Sequence, residues 1–299
     1  MGRPKGSKNK STLAKQLKRL EKASGKSIAR IVDPLKKYSD EQIITMIRER
    51  FDCVHQMGRG ATTGAVRGLI VSGAPGVGKS HTIEWLLENA RQKMPDFKYS
   101  VIKGTVTAVN LYKQLYHARH ERNVLVLDDA DGIFFDADGV SLLKAALDSG
   151  SSRKISWLSE TNALKDDKGN WIDTQFEYKG SMIFLTNIDF QKIIDDGKSK
   201  IVCHLEALMN RAIYLDLKLH GRRAVALWIR HITTKSNMLV QQFGLTSLQQ
   251  KAALDYITDN RDKLRTISLR EALKLGQMIK SSPASWRRTA DITLLRNEV

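Results

Sequence analysis

The chain has 299 residues, of which 41% are hydrophobic and 27% are charged, and it contains two cysteines. This length is typical of two domains and is sufficient to bury a core without disulfide bonds. The composition excludes a disordered or collagen-like chain, and two cysteines exclude a disulfide framework. No apolar run approaches the roughly 20 residues that cross a bilayer, so we expect no membrane partner.

Basic residues are concentrated at the two ends of the chain. The net charge is +17, from 49 basic and 32 acidic residues. Residues 1–37 hold 12 basic and 2 acidic residues, and residues 218–299 hold 15 basic and 6 acidic residues. Residues 38–217, in contrast, hold 22 basic and 24 acidic residues. Two cationic ends on a near-neutral centre indicate a polyanionic partner, with DNA as the first choice. Charge that serves only solubility is the alternative.

Residues 1–38 are predicted to form a basic, partly disordered extension with a short helix at 11–22. Its first residues lack an apolar stretch, so we expect no secretory signal. Gly2-Arg3-Pro4 resembles the core of an AT-hook, which binds the DNA minor groove. A general phosphate-binding tail and a tail without a DNA role are the alternatives. The candidate DNA contacts here are Arg3, Lys5, Lys8 and Lys10.

Strands alternate with helices over residues 39–217, which predicts an α/β domain with a parallel sheet. A capping box at Ser39–Gln42 begins the first helix, and the glycine-rich stretch Gly58–Gly68 is predicted to be a loop. The predicted strands are residues 69–72, 98–102, 124–127, 182–186 and 212–217, and the helices between them begin near Lys79, Ala108, Gly139 and Lys200.

Strands stop after residue 217. Helical patterns at residues 222–235, 246–260 and 268–280 predict a small helical domain over residues 218–280. Residues 281–299 are left as a C-terminal tail without an assigned structure.

The residues from Gly73 to Ser80 match the phosphate-loop pattern G-x-x-x-x-G-K-[ST] between a strand and a helix. The glycines let backbone N–H groups cradle phosphate oxygens, Lys79 reaches the β- and γ-phosphates, and the Ser80 hydroxyl is a ligand for Mg²⁺. The candidate nucleotide-binding residues are Gly73, Ala74, Pro75, Gly76, Val77, Gly78, Lys79, Ser80 and His81.

Two aspartates follow the apolar strand at 124–127. Asp128 is a candidate Mg²⁺ ligand, and Asp129 is a candidate for polarising the attacking water. Alone, the pair is equally typical of an acidic turn, but the phosphate loop favours the catalytic interpretation.

Two further residues complete the candidate site. Asn187 ends another apolar strand, where its amide can orient water near the γ-phosphate; an asparagine that starts a turn is the alternative. Arg211 ends a helix and is a candidate arginine finger for a neighbouring subunit. The alternative for Arg211 is an ordinary contact with the C-terminal dipole of its helix.

Together these motifs resemble an AAA+ ATPase, over roughly residues 40–280. The resemblance implies a P-loop three-layer α/β sandwich, a parallel five-stranded sheet in the order 5-1-4-3-2, a C-terminal all-helical lid, and rings or spirals with ATP at subunit interfaces. It makes Asn187 sensor 1, Arg211 the arginine finger and Arg270, in the segment Ser268–Ala272, sensor 2. Most members carry Asp-Glu where this chain has Asp128-Asp129, a departure that bears on the hydrolysis rate and not on ATP binding.

An insertion at residues 151–179 is predicted to form a β-hairpin. Its position resembles that of the DNA-gripping hairpin of viral ring helicases, with Lys168 near the tip and Trp171 beside it. A surface hairpin or an oligomer contact is the alternative. In the helical domain, Arg222 and Arg223 are further candidate DNA contacts, and an ordinary solvated helix face is the alternative.

The resemblance implies an ATPase that binds and hydrolyses ATP with Mg²⁺, is stimulated by DNA, and acts as a homo-oligomer in replication or recombination. A helicase loader or initiator is the first expectation, with a helicase or another replication protein as a candidate partner. A ring-forming DNA helicase and a weakly hydrolysing ATP switch of the transposition target-selection type stay open. A cytoplasmic location is expected, either nucleoid-associated or in a phage-infected host.

Overall fold

The computed structural model describes residues 35–158, 164–166, 169–199 and 201–296. Tyr38–Val299 form one unit, which contains the strands and helices with described bounds. The predicted helix at 11–22 and the candidate DNA contacts Arg3, Lys5, Lys8 and Lys10 lie outside the described residues.

Seven strands and eleven α-helices are present in the described part of the chain. The strands are β1 Gly68–Ser72, β2 Lys98–Lys103, β3 Asn123–Asp128, β4 Lys154–Ser156, β5 Gln175–Glu177, β6 Ser181–Thr186 and β7 Ile213–Asp216. The helices are α1 Asp40–Thr63, α2 Lys79–Lys93, α3 Ala108–His117, α4 Ala137–Ala146, α5 Phe190–Asp196, α6 Val202–Met209, α7 Gly221–Ser236, α8 Met238–Phe243, α9 Ser247–Asp259, α10 Leu269–Ser281 and α11 Trp286–Leu294. A 3₁₀ turn, Asp131–Phe135, precedes α4.

Five parallel strands form the main sheet in the spatial order β2-β3-β6-β1-β7. Counted in chain order within this sheet, the strands lie in the order 5-1-4-3-2, which confirms the predicted fold. Because β1 and β3 both pair with β6, their carboxyl ends meet at one edge. This edge carries the candidate nucleotide site.

Both faces of the sheet are covered, so its central strands are apolar throughout. All residues of β1, β3 and β6 are buried. On one face, Leu125, Met182 and Phe184 share a core with α3, α4 and α6. On the other face, α1 packs on β1, β6, β7 and α2. A strand buried on both faces reads as a continuous apolar run, which is why the sequence located these strands to within two residues.

The prediction of a loop over Gly58–Gly68 was wrong, because α1 continues to Thr63. Gly58 and Gly60 serve close packing, whereas Gly64 ends the helix with a left-handed turn. A Cβ on Gly58 would lie 2.9 Å from a methyl carbon of Leu86 in α2, and one on Gly60 would lie 2.6 Å from a methyl carbon of Val66. The helix therefore approaches α2 more closely than a larger residue allows. The capping box at its start is confirmed, with Ser39 and Gln42 exchanging hydrogen bonds.

The helices after β7 form a second core. Residues from α7 to α11 contribute to one apolar cluster, including Ile229, Leu254 and Leu275. Residues 286–294, left without an assigned structure by the sequence, form α11, whose Trp286 and Ala290 are buried in this cluster. Within the described ranges, no helix is both long enough and apolar enough to cross a membrane.

Candidate nucleotide site

The phosphate loop connects β1 to α2 and requires two glycines. Gly76 has a φ of 71° and Gly78 a φ of 110°, a region that residues with a Cβ rarely adopt. This conformation places the amino end of α2, with its free N–H groups and partial positive charge, beside the loop. The local geometry therefore suits a phosphate group.

Lys79 is held under the loop. Its side chain is 5% exposed, and Nζ donates hydrogen bonds to the carbonyl oxygens of Gly73 at 2.6 Å and Ala74 at 3.1 Å, and to Oδ1 of Asn187 at 2.8 Å. Burial lowers the pKa of Lys79, while the nearby carboxylates, Asp129 foremost, oppose that shift. The ammonium group is thus desolvated and pre-positioned for an anion.

Ser80, the last residue of the loop motif, pairs with Asp128 at the end of β3. The Ser80 hydroxyl donates to Oδ1 of Asp128 at 2.9 Å. Asp128 is 6% exposed, and burial raises the pKa of its carboxyl against the opposing hydrogen bond from Ser80. A buried carboxylate beside a hydroxyl is an oxygen donor set that fits Mg²⁺. A cation here would also stabilise the charge of the buried Asp128.

Asn187 links the lysine to the second aspartate. Its Nδ2 donates to Oδ1 of Asp129 at 2.7 Å, while its Oδ1 accepts from Lys79. Asp129 has a φ of 53°, a left-handed conformation that aspartate tolerates better than most residues. The Asp129 N–H donates to the Leu185 carbonyl of β6 at 2.9 Å, which fixes this turn. The carboxylate is therefore aimed toward the loop, consistent with the role predicted for Asp129.

Asp131 is a site residue that the sequence reasoning missed. Burial raises the pKa of its carboxyl, and the Thr186 hydroxyl and the Asn187 backbone N–H oppose that shift. Its charge therefore lies close to Asn187 and to Lys79. The signal was available, since Asp131 comes two residues after Asp129 at the same strand edge.

The helical domain is anchored directly to the phosphate loop. The Leu269 N–H donates to the Gly76 carbonyl at 2.9 Å, and Nε1 of Trp228 donates to the Val77 carbonyl at 3.0 Å. A cavity of about 160 Å³ beside the loop is lined by Arg270 as well as by residues of the loop, Asp129 and Asn187. The structure thus brings Arg270, from α10, to the site that the sequence placed between β1 and α2.

Glu271 supports this anchor, and the sequence reasoning did not assign it a role. It is 2% exposed and accepts hydrogen bonds from the hydroxyls of Ser268 at 2.7 Å and Thr266 at 2.8 Å. Despite burial, which acts in the opposite direction, these bonds and that from Lys274 lower the pKa of Glu271. The pattern Ser268-x-x-Glu271 is a capping-box signature that could have revealed it.

A larger cleft adjoins the loop between the α/β domain and the helical domain. Its volume of about 970 Å³ is within the range of small-molecule sites. Its walls combine apolar side chains with a few polar ones, which suits a planar base and its sugar. Among the lining residues are Phe51, Val77, His81, Trp85, Met238, Gln241, Leu269 and Leu273.

Arg211 is not part of this site. It precedes β7 at the amino-terminal edge of the sheet, whereas the phosphate loop follows the carboxyl end of β1. One guanidinium nitrogen donates to the Ala207 carbonyl at 2.9 Å, and the exposed side chain lines a separate cleft with Arg67. Arg211 therefore does not contact the candidate nucleotide site of its own chain.

Arg222 and Arg223 are engaged inside the chain. Arg222 donates to the carbonyls of Arg261 and Leu264. Arg223 pairs with Asp40 and donates to the Tyr38 carbonyl at 3.1 Å, which connects α7 to the start of α1. These contacts give both residues a structural role.

The predicted hairpin is present, with β4 and β5 antiparallel and a further bridge between Lys165 and Trp171. Trp171 is 62% exposed, and the Lys165 ammonium lies 4.5 Å from its ring centre. Lys168 lies outside the described residues.

Comparison with known proteins places the chain in a family. An uncharacterised 36.7 kDa protein encoded in the nrdC–mobD intergenic region of Enterobacteria phage T4 is 36% identical over 254 residues, which is 85% of this chain and 76% of the phage protein. No protein-family model matches the chain.

Solved structures resemble the fold at low identity. AMPPCP-bound DnaA from Aquifex aeolicus is 16% identical with a TM-score of 0.46, over 82% of this chain and 66% of that chain. NtrX from Brucella abortus in complex with ATP is 14% identical with a TM-score of 0.40, over 94% and 69%. PCH-2 from C. elegans is 14% identical with a TM-score of 0.40, over 81% and 63%. The chain spans slightly less than two thirds of the DnaA and PCH-2 chains. The chain belongs to the family of the phage T4 protein, and its strand order and C-terminal helices agree with the AAA+ P-loop fold.

Proposed function

We propose that the chain hydrolyses ATP and uses the nucleotide to control its action on DNA in replication or recombination, as a helicase loader or initiator does. The observation that carries the ATPase part is the hydrogen-bonded series Lys79–Asn187–Asp129 beside the Ser80–Asp128 pair. It gathers a cation, an amide and two carboxylates at one strand edge, which are the groups that phosphoryl transfer requires.

Each group has a distinct task in the proposed reaction. The loop N–H groups and Lys79 bind the β- and γ-phosphates, while Asp129 orients the attacking water and Asn187 holds Asp129 in place. Ser80 and Asp128 are the residues that would hold Mg²⁺, which when bound neutralises phosphate charge. The bond from the γ-phosphorus to its bridging oxygen breaks, water supplies the new P–O bond, and ADP and phosphate leave.

The adjoining cleft supports a nucleoside rather than bare phosphate as the ligand. Its apolar wall includes Phe51 and Leu273, and it opens onto Val77 and His81 of the phosphate loop. A base in this cleft would contact both domains, so its binding and release would change how firmly the helical domain is held against the α/β domain. Arg270 reaches the same nucleotide from the helical lid, which supports the predicted sensor role.

DNA is the proposed macromolecular partner because cations are concentrated at both ends of the chain. Arg211, at the opposite sheet edge, supports a ring or spiral in which each copy contributes to its neighbour's site. The phage T4 relative supports action in the cytoplasm of a phage-infected cell.

ATP turnover with and without DNA tests this proposal. We expect the full chain to hydrolyse ATP, and both single- and double-stranded DNA should be tried across a salt series for stimulation. Lys79→Ala should abolish nucleotide binding, because it removes the buried ammonium and leaves the Asn187 amide without that donor. Turnover that is the same with and without either DNA at every salt concentration would contradict the DNA part of the proposal. Turnover by Lys79→Ala equal to wild type would contradict the ATPase site.

A ring helicase is the second candidate, and the exposed Trp171 with its lysine partner favours it. Such a pair offers a stacking surface and a cation to a single strand. Under this proposal Trp171→Ala would lose strand unwinding and keep basal ATP turnover. Unwinding that survives the substitution would contradict a hairpin-driven helicase, and a chain that never unwinds DNA would favour the loader.

A further inference from the structure

A short antiparallel bridge ties the end of the described chain to the loop after α9. The Arg265 N–H donates to the Leu294 carbonyl at 2.8 Å, and the Arg296 N–H donates to the Lys263 carbonyl at 2.9 Å. Leu264 pairs with Leu295 in this bridge and is fully buried. Successive side chains of an extended strand point in opposite directions. Lys263 and Arg265 therefore project away from the core, and both are exposed.

Like charges face each other across this bridge. The hydrogen bond between their backbones places Lys263 opposite Arg296, and both side chains are exposed. Same-charge residues directly opposite one another in an antiparallel pair destabilise it. The pairing of the backbones thus places two cations on the same side of the bridge, where their repulsion opposes folding.

A third cation lies next to this pair. Arg222 donates to the carbonyls of Arg261 and Leu264, so its guanidinium packs against the same loop. Burial and the charge of Arg296 lower the pKa of Arg222. Of the nearby acids, Asp262 lies 3.5 Å from Arg261, and Glu271 is buried with the hydroxyls of Ser268 and Thr266 as donors. Positive charge therefore dominates this corner of the lid.

We propose that Lys263 and Arg296, termed the lid patch, bind the phosphate backbone of DNA. This inference rests on the proposed DNA function and assigns it a surface, in place of Arg222 and Arg223, which, like Arg265, donate hydrogen bonds within the chain. Phosphates between Lys263 and Arg296 relieve their repulsion, so the patch binds an anion more strongly than two isolated cations would. Lysine is depleted from the cores of protein interfaces, which favours nucleic acid over an acidic protein.

The salt dependence of DNA binding tests the patch. The full chain and its Lys263→Ala/Arg296→Ala variant are titrated onto a fluorescein-labelled duplex, and the anisotropy is followed between 50 and 200 mM KCl, about the range in which phosphate contacts are most informative. Two lost phosphate contacts should reduce the slope of log K against log salt by about 1.8 and the affinity near 100 mM by about 10- to 60-fold. The matched control is Lys251→Ala/Lys280→Ala, which removes two exposed cations elsewhere in the helical domain and should reduce the slope less.

A second variant guards against a folding defect. Lys263→Glu replaces a repulsive cross-strand pair by an attractive one, so its melting temperature should be equal to or higher than that of wild type, while its DNA affinity falls. A wild-type chain that binds DNA and a double variant with an unchanged slope would overturn the lid patch and leave the DNA function intact. A wild-type chain that binds neither duplex nor single strands would overturn both. A fall in slope equal to that of the control would show that DNA binding depends only on the overall charge, and it would also overturn the patch.

Discussion

Replacing Gly76 by alanine should separate the lid from the phosphate loop. The residue has a φ of 71°, and an added Cβ would lie 2.8 Å from both Cβ and Oγ of Ser268. The left-handed conformation costs a residue with a Cβ about 1–2 kcal/mol, and forcing a methyl group into a packed contact costs about a further 1–3 kcal/mol. The lid relieves the contact only by moving away, which breaks the hydrogen bond from Leu269 to Gly76.

Thermal unfolding measures the loss of stability, and calorimetric titration with ATP measures the loss of nucleotide binding. Gly64→Ala is the matched control, because Gly64 has a φ of 82° and nothing within 4 Å of its added Cβ. For a chain of this size each kcal/mol lowers the melting temperature by about 2–4 °C, so Gly76→Ala should melt several degrees below the control and bind ATP more weakly. Because the Ser268 hydroxyl also donates to Glu271, the double variant Gly76→Ala/Ser268→Gly is compared with Ser268→Gly alone. In that background Gly76→Ala should lower the melting temperature less than it does in wild type. Equal melting temperatures for Gly76→Ala and Gly64→Ala would refute the idea that the lid packs on the loop.

Two further predictions address the anchor and the second copy. The folded state holds the pKa of Glu271 below its ordinary value of 4.5, so its stabilising contribution is complete above that value and is lost as the pH falls through the lowered pKa. Glu271→Gln should therefore lower the free energy of unfolding by about 1–3 kcal/mol near pH 7. Because glutamine does not titrate, the variant should also lose less stability than wild type as the pH falls below about 5, measured by denaturant unfolding. An unchanged pH profile would contradict this. If Arg211 acts across a head-to-tail interface, Arg211→Ala and Lys79→Ala should each be inactive alone. An equal mixture should regain about a quarter of wild-type turnover, because a site is intact only where an Arg211→Ala copy lies next to a Lys79→Ala copy. No recovery at any mixing ratio would contradict a role in trans.

The strands could be located from sequence because burial on both faces imposes an uninterrupted apolar run, as in Val124–Leu127. The order of those strands could not be derived in this way, since pairing is a long-range property; it came from the resemblance to a family. The short helices Met238–Phe243 and Trp286–Leu294 were not predicted. Each presents at most three buried positions, too few for a clear period.

The glycines between residues 58 and 68 show why local composition misleads. Glycine is a signal for a turn when the backbone needs a positive φ, and Gly64 supplies that signal at the end of α1. Gly58 and Gly60 have a different cause, namely neighbours that would lie within 3 Å of a Cβ. The sequence holds no local record of the partner helix, so the two causes look alike until the packing is known.

Site residues divide in the same way. Lys79 and Ser80 belong to a contiguous motif, but the contact between Lys79 and Asn187 joins residues 108 positions apart, and only the sheet brings them together. Asp131 and Glu271 lie beside recognised motifs, and their contacts with neighbouring groups could be identified only from the structure.

The anchoring of the lid also bears on how nucleotide state could be transmitted. Leu269 and Trp228 hold the loop through its backbone carbonyls, and Ser268 occupies the space that a Cβ on Gly76 would need. A bound nucleotide that shifts the loop slightly therefore acts on close contacts, and packed contacts do not deform continuously. The helical domain must move with the loop or release it. Helix α7, which carries Trp228, also carries Arg222, whose guanidinium donates to the carbonyl of Leu264, the neighbour of Lys263 in the lid patch. Under the proposed function, α7 thus connects the loop that holds ATP to the surface that meets DNA.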